Sequence, residues 1–282
     1  MQRRVTILVA VAAISVAAAV SAQVRVVSDL DYVAGSEYPD KKDRLDVYTP
    51  AAATNAPVIV SIHGGGLRQG DKSGHTFVGQ RFAQSGHVTV IVNHRLSPGV
   101  THPAHIEDIA AAVAWTKRNI ARYGGDPAKL FVIGHSAGAY LAALLVLDPR
   151  YLAAHGLTPR DIRGVVPVSG FFYVDRPGVA PDRPKDTWGI DANVWKTASP
   201  ATYVRRDVPP MLLLYADGDD SWRQQQQGEF VTALGHAGQR ETEVRMIRGR
   251  THNTIWSEMA KPEDETARAI LQFVTRRLGG TR

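Results

Sequence analysis

Six short apolar or β-branched runs recur along this chain, most of them followed by a stretch with helical spacing. The runs occupy residues 58–62, 88–92, 130–133, 164–168, 211–215 and 243–247. Each is bounded by Gly, Pro, Asn or Asp, as strands buried on both faces of a parallel sheet tend to be. Between them, residues 104–123 set Ile106, Ile109, Ala110, Val113 and Ile120 on one face and stop at Gly124-Gly125. Residues 137–147 are apolar all round, which predicts a central buried helix. Residues 229–234 and 263–278 supply further helices. Strands alternating with helices predict one mostly parallel α/β sheet with helices on both faces. A length of 282 residues suffices for one such domain, and no repeat or linker divides it. Residues 171–204, rich in Pro, Asp and Arg, break the rhythm and predict a small cap or pocket loop over the carboxyl ends of the strands.

The amino terminus is a separate matter. Residues 1–22 read MQRRVTILVAVAAISVAAAVSA, with Arg3 and Arg4 ahead of an Ala/Val-rich run and small residues at 20–22. That is the pattern of a secretory signal peptide cut after Ala22. The run is short for a membrane span and no basic cluster follows it. The expected organisation is a signal peptide over 1–22 and one catalytic domain over 23–282. The protein is expected to be secreted or periplasmic in a bacterium, with no stable membrane insertion after cleavage. The formal charge of +6 includes the two discarded arginines. Arg205, Arg206, Arg276 and Arg277 are read as solvated basic pairs; no nucleic-acid motif accompanies them, and no nucleic-acid partner is expected.

The chemistry gathers in four places. Gly134-His135-Ser136-Ala137-Gly138 joins the run 130–133 to the helix over 137–147. G-x-S-x-G in that setting makes a sharp turn that lifts the Ser136 hydroxyl out and aims the Ala137 N–H at any oxyanion formed there. The chain has no cysteine, so a thiolate nucleophile, a disulfide framework and a Cys-based zinc site are excluded. His63-Gly64-Gly65-Gly66 ends the run 58–62. Gly65 and Gly66 are the expected oxyanion donors, with Gly64 left open, and His63 orders the loop. After the run 211–215 come Asp217, Asp219 and Asp220. One of them must reach an imidazole by hydrogen bond; Asp219 is the first choice, Asp217 the second and Asp220 the third. His252, after the run 243–247, is the expected base, giving the chain order Ser136, Asp219, His252 of the α/β-hydrolase fold.

The other histidines take plainer readings. His236, at a helix end, is solvated or a cap, His75, His87 and His155 are surface or loop residues, His94 lies near the pocket floor and His135 packs under the turn. His102 and His105 flank Pro103 without an acidic ligand, so neither a metal nor any other cofactor is expected.

HGGG at 63–66, GHSAG at 134–138 and the late Asp219 and His252 resemble α/β-hydrolase esterases of the hormone-sensitive-lipase-like group. LRQGDKS at 67–73, VNHRLSP at 92–98, residues 104–117 and YGGDP at 123–127 are similar to its feruloyl-esterase-like and kynurenine-formamidase-like branch. In that branch the acid is usually the last Asp of a G-x-x-D run, which corresponds to Asp219. The resemblance covers most of residues 30–280 and implies a metal-free serine hydrolase acting on small soluble carboxylic esters through an acyl-enzyme. Alternatives are an arylformamidase, a feruloyl or acetyl esterase of carbohydrate-linked esters, and a non-catalytic binding module. The chain departs from the pattern at Leu67, His94, Asp220 and Thr251, four positions expected to reshape the pocket. Trp188 and Trp195 are expected to line its leaving-group side. The cap they belong to is too polar and Pro-rich for a lipase lid.

Overall fold

A computed structural model describes residues 23–33, 35, 38, 40–176, 178 and 185–279. The expected signal peptide over 1–22 lies outside the described residues, as does part of the expected cap, at 177 and 179–184.

Eight strands form one sheet: β1 (Val24–Asp31), β2 (Arg44–Pro50), β3 (Ala56–Ile62), β4 (Val88–Val92), β5 (Gly125–His135), β6 (Gly164–Val168), β7 (Met211–Gly218) and β8 (Thr242–Thr251). Their order is β1-β2-β4-β3-β5-β6-β7-β8. From β4 to β8 neighbours run parallel; β2 is antiparallel to β4, and β1 to β2. The six expected runs are β3 to β8. The first two strands escape the apolar criterion for a physical reason. β1 is an edge strand whose residues are exposed or half-buried. β2 carries a buried Asp46 whose carboxylate takes an ion pair from Lys72 Nζ at 2.7 Å, so its polarity is paired inside the fold.

Helices α1 (Thr76–Gln84), α2 (Ala104–Asn119), α3 (Ala137–Leu147), α4 (Pro149–Ala153), α5 (Lys185–Trp188), α6 (Ala192–Ala198), α7 (Ser221–His236), α8 (Thr254–Ser257) and α9 (Glu265–Arg277) flank the sheet. Apolar side chains of α2 and α3 fill one face, and those of α1 and α9 fill the other. All eleven residues of α3 are buried. Its last carbonyls, on Val146 and Leu147, accept from the Arg205 guanidinium, so Arg205 is a helix cap and not the solvated residue expected. Two helices differ from their sequence patterns. α1 contains Gly79, where a Cβ would stand 2.4 Å from the Tyr48 ring, so the glycine that obscures the helix is what lets it lie on β2. α7 starts eight residues before the apolar pattern. Its glutamines serve backbone: Gln226 Oε1 accepts from the N–H groups of Phe172 and Tyr173, and Gln227 donates to the Gly170 carbonyl.

Candidate active site

The carboxyl ends of β3, β5, β7 and β8 converge on one cleft. β5 delivers Ser136, the residue before α3, with φ 55° and ψ −114°, a left-handed backbone that L-residues resist. The two flanking glycines make this turn possible. A Cβ on Gly134 would stand 2.3 Å from the Gly138 carbonyl oxygen, and one on Gly138 would stand 2.2 Å from that of Ile62. The pentapeptide thus closes on itself and on the end of β3. That closure brings the glycine loop beside the serine: a Cβ on Gly64 would lie 3.2 Å from the Ser136 Cβ. Gly65 and Gly66 continue the loop with φ 113° and 66°.

Ser136 Oγ lies 3.0 Å from His252 Nε2, and His252 Nδ1 lies 2.6 Å from Asp219 Oδ1. Asp219 is buried, and its second oxygen accepts from Ser169 Oγ at 2.6 Å and from the Ala216 N–H at 2.9 Å. Burial pushes this carboxyl up, but the hydrogen bonds from His252, Ser169 and Ala216 outweigh it and hold the group below the ordinary carboxylate range. The carboxylate therefore stays ionised at neutral pH and fixes the proton of His252 on Nδ1, leaving Nε2 to accept from serine. Of the other two acids, Asp217 receives the N–H groups of Gly249 and Arg250 and pins the loop that carries His252. Asp220 occupies the position before α7. Ala137 is the first residue of α3, beside Ser136.

The cleft has a volume of about 900 Å³. Its wall is made by Gly64–Gly66, Arg68, Gln69, His75, Ser97, Pro98 and Arg223 with Ser136 and His252. Among the described residues it contains no Leu, Ile, Val or Phe. Trp188 and Trp195 do not border it, contrary to expectation. Trp188 is turned inward, edge-on to Tyr140 and Phe171, and Trp195 donates to the Gly189 carbonyl. Burying the Trp188 indole against aromatic partners outweighs leaving it in a wet cleft. Nor do the four departures from the family pattern border it. Leu67 is buried in the core, His94 stacks on His63, Asp220 is exposed, and Thr251 pairs with Thr254. Among the described residues, no group of three His, Asp or Glu is placed to hold a metal ion.

Sequence reasoning missed three contributors. Ser169 follows β6 and fixes the acid; its place just past a strand end, before Gly170, was the available signal. His135 is more than packing, since its Nε2–H donates to the His252 carbonyl at 2.7 Å. His75, read as a surface or loop residue, is half-buried on the cleft wall, and its Nδ1 accepts from Trp256 Nε1 at 2.9 Å.

These rings form a continuous column. His63 stacks on His94 at 4.5 Å and on His75 at 5.8 Å, His135 stacks on Trp256 at 5.4 Å, and His135 lies 4.8 Å from His252. Burial pushes His94 and His135 down to about 3 and His105 to about 4. Below pH 6.5 the unfolded chain protonates these rings while the folded chain does not, so stability falls as pH drops towards those lowered values. Each ring removes about 1.4 kcal/mol per pH unit inside that window. The urea midpoint is therefore expected to fall steeply between pH 6.5 and 4.5. A midpoint that stays level there would mean the rings titrate freely in the fold.

A profile of the BD-FAE family matches residues 45–153. Esterase LipQ of Mycobacterium tuberculosis is 29% identical over 242 residues, spanning 75% of this chain and 53% of that protein. The probable carboxylic ester hydrolase LipM of the same organism is 33% identical over 193 residues, 64% and 45% of the two chains. The chain thus spans about half the length of these curated relatives. Among solved structures, esterase B from Lactobacillus rhamnosis inhibited by a tributyrin phosphonate superposes with a TM-score of 0.77 at 20% identity, over 90% of this chain and 86% of that one. The native esterase Est2 of Thermogutta terrifontis superposes at 0.71 and 23% identity, over 91% and 92%. The solved structures share the fold, and the sequence relatives agree with the resemblance carried by HGGG and GHSAG.

Proposed function

We propose that this chain, an α/β-hydrolase of the hormone-sensitive-lipase-like kind, is a serine hydrolase that cleaves small carboxylic esters. The observation that carries the reading is the hydrogen-bonded line Ser136–His252–Asp219, at 3.0 and 2.6 Å. In the proposed reaction His252 Nε2 takes the Ser136 proton as Oγ attacks the ester carbonyl. The N–H groups of Gly65, Gly66 and Ala137 hold the oxyanion, each worth about 3 kcal/mol of barrier. The protonated imidazole, stabilised by Asp219, then gives its proton to the departing alcohol. Water, activated by the same nitrogen, releases the acid from the acyl-enzyme.

The polar wall of the cleft supports short acyl groups over long ones, because it offers a chain of methylenes little apolar surface to cover. The relatives' names support an ester over an amide. On the sequence of residues 1–22 we place the reaction outside the cytoplasm. The test is a comparison of p-nitrophenyl acetate, p-nitrophenyl decanoate and N-formylkynurenine as substrates. The acetate is expected to give the highest kcat/KM; a much larger value for the formamide would replace the ester reading with an arylformamidase.

A further inference from the structure

The parallel strands have two ends, and the candidate active site uses only one of them. At the other, where β6, β7 and β8 begin, lies a second cavity of about 530 Å³. Five arginines line it: Arg160, Arg163, Arg206, Arg276 and Arg277, with Asp207 and Glu241 as the carboxylates. Arg163 immediately precedes β6, Pro210 precedes β7 and Glu241 lies just before β8. Ser136, Asp219 and His252 follow the opposite ends of β5, β7 and β8. Eight residues of β7 separate the two regions by roughly 25 Å.

The charges of this cavity do not cancel. Asp207 is paired with Arg205 at 3.2 Å, from outside the lining. Glu241 is paired with Arg277 at 2.8 Å, and Arg276 with Glu243 at 2.6 Å. That accounts for both lining carboxylates. Arg160, Arg163 and Arg206 have no carboxylate within ion-pairing distance among the described residues. Their backbones are held: Arg163 N–H donates to the Leu130 carbonyl at 2.7 Å, and Arg160 lies in the short helix Pro159–Asp161, closed by Thr158 and Asp161. Beneath them, Ile162, Val208 and Pro209 form a buried apolar floor. All three of these arginines are exposed and solvated, and the concave wall brings their fields together over one mouth.

We propose that this cavity is a binding site for a multivalent oxyanion, a phosphate- or polycarboxylate-bearing group that the guanidinium forks grip in bidentate fashion. It is independent of the ester-hydrolase reading, because it shares no residue with the triad cleft. An anion bound there leaves that cleft open, so occupancy would not block its substrate.

The test uses the whole chain with tripolyphosphate and citrate as probes, against sodium chloride at equal ionic strength. Calorimetry is expected to show saturable binding near one per molecule. At a hundred times Kd, Tm is expected to rise by about 5 °C or more above the chloride control. The tighter of the two probes identifies phosphate or carboxylate as the natural chemistry. In the R163A/R206A double variant, Kd is expected to weaken at least about tenfold, with p-nitrophenyl acetate hydrolysis unchanged. Arg160→Ala, which removes one guanidinium instead of two, gives a second and milder loss. Binding no stronger than in chloride, or binding that both variants retain in full, overturns the proposal whatever the esterase assay shows.

Discussion

Ser136→Ala is expected to lower kcat/KM for p-nitrophenyl acetate by on the order of 10⁵-fold, with Tm nearly unchanged. The substitution removes one oxygen and leaves everything that shapes the site. The Ser136 N–H still donates to the Val168 carbonyl, and its own carbonyl still receives Ala139 and Tyr140. The glycine loop and the start of α3 remain, so some acceleration over water from oxyanion binding should persist. Stopped-flow traces would also lose the burst that reports acyl-enzyme formation. A variant that kept a tenth of the activity would remove Ser136 as nucleophile.

The second large effect separates two carboxylates two residues apart. Asp219→Asn is expected to reduce kcat by about 10⁴-fold, with a far smaller change in KM. An amide there can present N–H to Nδ1, and the ring then keeps its proton on Nε2, where it can no longer accept from Ser136. Asp217→Asn is expected to cost much less, because that side chain only receives the Gly249 and Arg250 N–H groups at the surface. A larger kcat loss in Asp217→Asn would exchange the two assignments. Steady-state kinetics on both variants at one pH decides it.

The strands buried on both faces were legible because parallel packing demands continuous apolar runs. Ser136 was legible because so sharp a turn tolerates few residues beside glycine. Asp219 could be ranked from the chain, but its separation from Asp217 depends on β7 ending one residue before it, and strand ends are poorly marked by composition. β1 and β2 were not legible, since an edge strand and a strand with a paired Asp46 lack the apolar signature. The tryptophans misled for a related reason. A Pro-rich polar segment suggests exposure, yet Trp188 turns its ring inward to Tyr140 and Phe171. That choice is made by one partner on α3 and another just after β6, both well before it in the chain. The same holds for His75, whose neighbour Trp256 comes from the far end of the chain.

The backbone of Ser136 has a consequence for how this chain can change. Holding a β-carbon in a left-handed conformation costs about 1–3 kcal/mol, and only glycine would be free of it. Glycine at 136 would relieve that cost, whereas alanine, which keeps the β-carbon, would not. Selection for thermal robustness alone would therefore favour glycine at 136, and with it a molecule without the proposed nucleophile.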